Sequence, residues 1–322
     1  MDQVSSRIAR SCAIALLCLS GVARAQTNPV LVLRPAGATF EEARKGILET
    51  LGPSFALKDL LVARETSVDD VSRAWRESKP KVVVAMDNRS VALFREARER
   101  IGDTSVPLVA IMGVRIDAAI GGIANSVGIG YEIPAVTTLV NLRSILRTPV
   151  LRAAMVYRAS WEDMFRRNAS FCKAENIELV GKRVPDGTDP ATGLEGALKE
   201  ISRDGTIDAL VVANDNFFLN ANLLRKVWLP RVSGWKRPVI VGVENLVRPE
   251  LRFGTFAILP DHYALGTQAA GLVQEIEEAG WKVEEHRTDQ PLSVIKVLNL
   301  RGMVECCKIL EEKKSEIDKV LD

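Results

Sequence analysis

The chain has 322 residues, 47% of them hydrophobic and 26% charged, which leaves room for two domains of roughly 100–200 residues each. That balance excludes a disordered chain, a collagen-like one and a disulfide-dense miniprotein. The net charge is only +2 and no local basic stripe is present, so nucleic acid is not an expected partner.

Arg7 and Arg10 precede the apolar run Cys12–Val22, and Ala23-Arg-Ala25 follows it. A positive start, a short apolar stretch and an A-x-A site are the three parts of a cleavable secretory signal. We therefore expect a signal peptide over residues 1–25 and a periplasmic protein after cleavage. The alternative, an N-terminal core helix, leaves the A-x-A site unexplained. The apolar run is too short to span a bilayer, which takes about 20 residues. No later stretch is long and apolar enough, so no membrane insertion is expected once the signal is removed. Less its three arginines and one aspartate, 40 basic and 40 acidic residues remain.

Past the signal the cysteines are Cys172, Cys306 and Cys307. Adjacent cysteines rarely bridge, because the geometry is strained; a link from Cys172 to either of the others stays open. His262 and His286 are isolated, which leaves no zinc cluster and no histidine triad to build. No metal and no cofactor are expected.

The strands in chain order include Pro29–Leu33, Lys81–Met86, Pro107–Ile111, Val150–Tyr157, Asp208–Ala213, Pro238–Val243 and Gly254–Leu259. They are Val-, Ile- and Leu-rich without alternation, as in parallel sheets covered on both faces. Helical patterns lie between them. Thr39-Phe-Glu-Glu42 reads as a capping box, Ser67-Val-Asp-Asp70 as the same device with Asp, and Ser160-Trp-Glu-Asp163 as a third start. Leu265–Glu277 and Met303–Val320 also look helical. This alternation predicts an α/β doubly wound fold in two blocks, roughly 27–130 and 150–260. Gly121–Pro134 reads as a crossing between them, and Pro260-Asp-His262 as a second. Ligands of such sheets bind beyond the carboxyl ends of the strands.

Several segments, taken in order, resemble one group of substrate-binding proteins of ABC transporters, the tryptophan-binding-like group. The tail Asp289-Gln-Pro-Leu-Ser-Val-Ile-Lys-Val-Leu-Asn299-Leu-Arg-Gly-Met is similar to a "QP…NL" strand and helix that closes those chains. Leu33–Gly46 resembles their first strand, loop and helix, and Gly254–Ala270 their "G…Y…(L)G…AA" segment. Ala213-Asn-Asp-Asn216 stands where those members carry a "DN" pair. The resemblance implies a type I periplasmic binding fold of two Rossmann-like lobes with a hinge and a ligand cleft. It implies an N-terminal lobe of residues 26–132 plus 262–290, a C-terminal lobe of 133–261 plus 291–322, and a third crossing near Gln290. It further implies an exported solute receptor that hands its ligand to a membrane permease of an ABC importer. No P-loop is present, so this chain is not expected to be the ATPase.

Candidate contacts follow from the loops after strands. Thr39 reads as a helix cap first and a ligand contact second, and Phe40 as either a core ring or a cleft ring. Asn88 and Ser90 stand where the group places a Thr-containing loop; capping of the next helix explains them equally well. The group's "TDP" is replaced here by Gly113-Val-Arg115-Ile-Asp117, so Arg115 is the candidate to bind a carboxylate through its fork. Ser160 heads a helix, and Trp161 can stack on a ligand. Asp215 and Asn216 end a Val-rich strand, where Asp can receive an ammonium group and Asn can both donate and accept. Glu244 holds the equivalent place one strand on. Acid, base and ring together suggest an amino acid or a small carboxylate as solute. Two other functions compete: a receptor feeding a sensor kinase or chemoreceptor, and an exported hydrolase using paired acids. The hydrolase has no G-x-S-x-G elbow and no metal cluster to support it. A repressor of the same fold would need a DNA-binding helix pair where the signal stands.

Overall fold

Val30–Leu33 and Val82–Met86 are buried at every position, as strands covered by helices on both faces must be. In the computed structural model, which describes residues 27–322, they form the middle of the first of two sheets. The expected signal peptide lies outside the described residues. The first sheet comprises β1 (Asn28–Arg34), β2 (Phe55–Leu61), β3 (Val82–Met86), β4 (Leu108–Ile111), β5 (Ser126–Ile129) and the short β11 (Thr288–Asp289). Its order is β11-β5-β4-β3-β1-β2, with every ladder parallel.

The second sheet comprises β6 (Arg152–Arg158), β7 (Glu178–Val184), β8 (Ala209–Val211), β9 (Val239–Val241), β10 (Phe256–Pro260), β12 (Val294–Asn299) and β13 (Lys319–Leu321). Its order is β13-β12-β10-β9-β8-β6-β7, parallel except for the antiparallel β10–β12 ladder. The chain passes between the sheets at 130–134, at Asp261 and at 290–293. The sheets are thus two lobes of a doubly wound α/β protein.

Helices α1 (Ala38–Leu51), α2 (Val68–Ser78), α3 (Asn88–Ile101) and the single turn α4 (Ile116–Ala119) belong to the first lobe. The second has α5 (Ala135–Ile145), α6 (Glu162–Ala174) and α7 (Pro190–Arg203). It also has α8 (Ala221–Leu223) and α9 (Leu229–Val232), joined by a π-helical turn over Leu224–Trp228. After β10, α10 (His262–Glu278) returns to the first lobe and packs along α1, and α11 (Leu300–Cys306) follows β12.

The capping box at Ser67 and Asp70 is present in both directions. Two other expected starts differ. Gly37, at φ 141°, turns the chain into α1 two residues early, so Thr39 is an exposed second helical residue and caps nothing. Ser160 sits in a single 3-10 turn, and α6 opens at Glu162 without a side-chain cap. There Glu162 and Asp163 supply the negative charge that a helix N-terminus favours.

The tail is a second correction. Met303–Val320 is not one helix: α11 ends at Cys306, a 3-10 turn spans Glu311–Glu316, and β13 closes the chain. Tertiary bonds override the helical pattern. Arg147 N–H donates to the Lys308 carbonyl at 3.0 Å, and Leu310 N–H to that of Ile145 at 2.9 Å. The half-polar β2 and β7, absent from the expected strands, flank the two sheets, where Lys58, Asp59, Lys182 and Arg183 can reach water.

Candidate functional site

The loops beyond β4, β6, β8 and β9 meet the crossings at a cavity of about 300 Å³ between the lobes. The first lobe contributes Arg115 and Asp117, and the crossings contribute Tyr131, Glu132 and Gln290. The second lobe supplies an apolar hollow of Met155, Met164, Val211, Ile240 and Ile258, rimmed by Trp161, Arg167, Asn168 and Asn214. Alternate residues of the sheet's α5/α6 face form the hollow's floor, as the two-residue strand period dictates.

Arg115 occupies the left-handed region at φ 53°. Its N–H donates to Glu132 Oε1 at 2.7 Å, and Asn88 Nδ2 donates to the neighbouring Val114 carbonyl at 2.7 Å. These two bonds fix the loop. The Arg115 guanidinium lies 5.6 Å from the Trp161 ring centre, within cation–π range. Its Nε approaches Asp117 Oδ1 to 3.5 Å but is buried without a hydrogen bond. Burial pushes the Glu132 carboxyl above the usual glutamate range, partly offset by the Arg115 N–H.

Asn214 presents a second unmet group: its Oδ1 is buried with no partner, while Nδ2 reaches the Gly242 carbonyl at 3.4 Å. A Cβ on Gly242 would fall 2.4 Å from that nitrogen, so a side chain there would push the Asn214 amide out of its place. Asn168 is fully used; Oδ1 accepts the Ala135 N–H at 2.8 Å, and Nδ2 donates to the Met164 carbonyl at 3.0 Å. A buried donor and a buried acceptor left unpaired cost stability until something pairs them. The arrangement can therefore bind a small molecule with one anionic end and an apolar body.

Of the residues singled out from sequence, Arg115 and Trp161 line this cavity. Asn88 and Asp215 stand behind it. Arg158 holds Asp215 in a fork, Nε to Oδ2 at 2.6 Å and Nη2 to Oδ1 at 2.9 Å, and stacks 5.3 Å from Trp161 and 4.9 Å from Phe217. The others lie elsewhere. Thr39 is exposed, and Phe40 packs partly buried against the first lobe's core. Ser90 is fully buried and bonded within its own helix start. Ser160 is exposed beside Asp186, and Asn216 is exposed with its carbonyl accepting from Asn220. Glu244 pairs with Lys319. Glu132, Arg167, Asn168, Asn214 and Gln290 line the cavity without having been singled out. Asn214 had a signal, since it shares a polar triplet with Asp215 and Asn216; Glu132 and Gln290 had only their place on crossings.

No family model matches the sequence, and no curated protein does. Solved structures do match. A substrate binding protein with adhesive properties from Clostridium difficile, in a ligand-free, open form, superposes with a TM-score of 0.67 at 14% identity, covering 92% of this chain and 99% of that one. An ABC domain in complex with L-Trp from Streptococcus pneumonia gives 0.58 at 15% identity, covering 91% and 100%. A periplasmic ribose ABC transporter protein from Conexibacter woesei gives 0.53 at 17%, covering 85% and 92%. At such identities the likeness is one of fold, and the fold is that of type I periplasmic binding proteins.

Proposed function

We propose that the protein is an exported, periplasmic solute-binding receptor of an ABC importer, a binding protein and not an enzyme, which closes two lobes over a small amino acid or carboxylate. The observation that carries this reading is the cavity of about 300 Å³ between the lobes, lined among others by Arg115 and Asn214, whose Nε and Oδ1 are buried without a partner. The solute's carboxylate meets Arg115, an ammonium group, where present, meets Glu132, and an apolar side chain fills the floor of Met155, Val211 and Ile240. Asp117 and Arg167, paired across the mouth at 2.9 Å, close it from water. The loaded form is the one a membrane permease would receive.

A thermal-shift panel of amino acids, small carboxylates, sugars and nucleosides on refolded, solute-free protein tests this. A ligand at about 100 times its Kd stabilises by about 2.7 kcal/mol, and the expected hits fall among amino acids or carboxylates. Arg115→Ala should abolish the shift. Hits confined to sugars or nucleosides, or a shift that survives both Arg115→Ala and Asn214→Ala, would overturn the reading.

A further inference from the structure

Cys306 is the last residue of α11, and Cys307 leaves it with extended backbone, φ −147° and ψ 157°. Both thiols are partly buried beside Met303, and their sulfurs lie 3.0 Å apart, already in contact and about 1 Å from the bond length of about 2.05 Å. The backbone on either side is held. The Cys307 N–H donates to the Met303 carbonyl at 2.8 Å, and the next residues are pinned to the end of α5 through the Lys308 and Leu310 bonds. The remaining described cysteine is of a different kind. Cys172 is fully buried in the second lobe's core, and burial pushes its thiol up to about 11, which makes it a poor nucleophile.

We propose that Cys306 and Cys307 are a modification site, a vicinal dithiol that closes reversibly to a disulfide by exchange with an organic disulfide. The Cys307 thiolate attacks one sulfur of the oxidant RSSR and releases RS⁻, leaving a Cys307–SR mixed disulfide. Cys306, giving its proton to RS⁻, then attacks the Cys307 sulfur and expels the second RS⁻, which takes up the proton that Cys307 had lost. The protein loses two hydrogens, and RSSR becomes two RSH. The order of attack follows the local bonding: the thiol–thiol contact keeps the proton on Cys306, and favours ionisation of Cys307. Adjacent Cα atoms are about 3.8 Å apart, inside the usual lower limit of about 4.4 Å for disulfides. The ring is therefore strained, and strained disulfides are the readily reduced ones. The site is independent of what the cleft binds.

The test treats reduced, folded protein with oxidised glutathione, blocks remaining thiols with N-ethylmaleimide, and maps the tryptic peptide Gly302–Lys308, which contains both cysteines. The expected peptide carries no maleimide, is lighter by two hydrogens, and regains two labels after mild dithiothreitol. Cys306→Ser should stop at a glutathione adduct on Cys307, while Cys172→Ser should change nothing in this peptide. A wild-type peptide that keeps two maleimides, an adduct that never resolves, or a bridge to Cys172 or a second chain would each overturn the proposal.

Discussion

Arg115 and Arg158 both lie against Trp161, yet their surroundings give them different work. Arg158 spends its fork on Asp215, whose side chain is 5% exposed, and removing it strands a buried carboxylate. Arg158→Ala should therefore cost about 3 kcal/mol by urea unfolding. Arg115 Nε holds no hydrogen bond, so Arg115→Ala should cost about 1 kcal/mol or less. Equal losses in the two variants would refute this division. Glu132 adds a pH dependence. Its folded-state pKa is raised by burial, so the folded chain holds a proton that the unfolded chain has released. Stability then falls as pH rises from the ordinary 4.5 through the raised value. A solute ammonium at Glu132 favours the charged form, so affinity for amino acids should tighten over the same window, and Glu132→Gln should flatten the profile. A wild-type Kd that is constant across that window would remove Glu132 from the ammonium's site. Little of this was legible beforehand. Asn214 and Asp215 are neighbours in one polar triplet, and a single residue of register decides which faces the cleft. The partner of Asp215 lies 57 residues away, where no local pattern points.

The return of α10 onto α1 depends on two glycines. A Cβ on Gly266 would fall 1.9 Å from the Ala43 carbonyl oxygen, and one on Gly46 would fall 2.1 Å from that of Tyr263. Each helix thus meets the other backbone to backbone, and neither tolerates a side chain at the contact. Gly266→Ala should destabilise by about 2 kcal/mol or more through overpacking. Gly271→Ala on the same helix meets nothing within 4 Å and should stabilise by up to about 1 kcal/mol, since alanine is the better helix former. Thermal melts of the two variants check this, and a gain in both would show that helix propensity and not the contact governs. Gly46 and Gly266 stand in the two segments whose resemblance to substrate-binding proteins was evident from sequence, so that likeness marked a packing constraint. Elements set by near neighbours were legible in the same way: the Ser67–Asp70 box forms as its spacing dictates. Elements set by distant ones were not. The tail departs from its helical pattern because Ile145, at the end of α5, and Arg147, just past it, bond the tail.

At the scale of the molecule, three strands of chain join the lobes, and the mouth is bridged by contacts that can be given up. Asp117 of the first lobe meets Arg167 of the second at 2.9 Å, and the Arg115 guanidinium faces Trp161. Asp117 is 35% and Arg167 57% exposed on their side chains, so the pair belongs to the class worth about 1 kcal/mol or less. That size suits a receptor, because a strong latch would keep the lobes shut without solute, whereas a weak one lets binding energy decide. Arg167→Ala should shift the solute-free population towards open by up to about fivefold and raise the radius of gyration in X-ray scattering; saturating solute should restore the closed value. Acid should act similarly. Burial works against the Asp117 charge, but the Arg167 hydrogen bond, the Ala118 N–H and Arg115 outweigh it and hold the carboxyl below the usual range. The pair is intact above aspartate's ordinary 3.8 and is lost as pH falls through the depressed folded value. Wild-type scattering should therefore move towards the Arg167→Ala curve only in that acid window, and the variant's own curve should stay unchanged there. Identical curves for the two proteins at neutral pH without solute would show that the lobes are held by the crossings and the apolar hollow, and that the mouth pair has no part in closure.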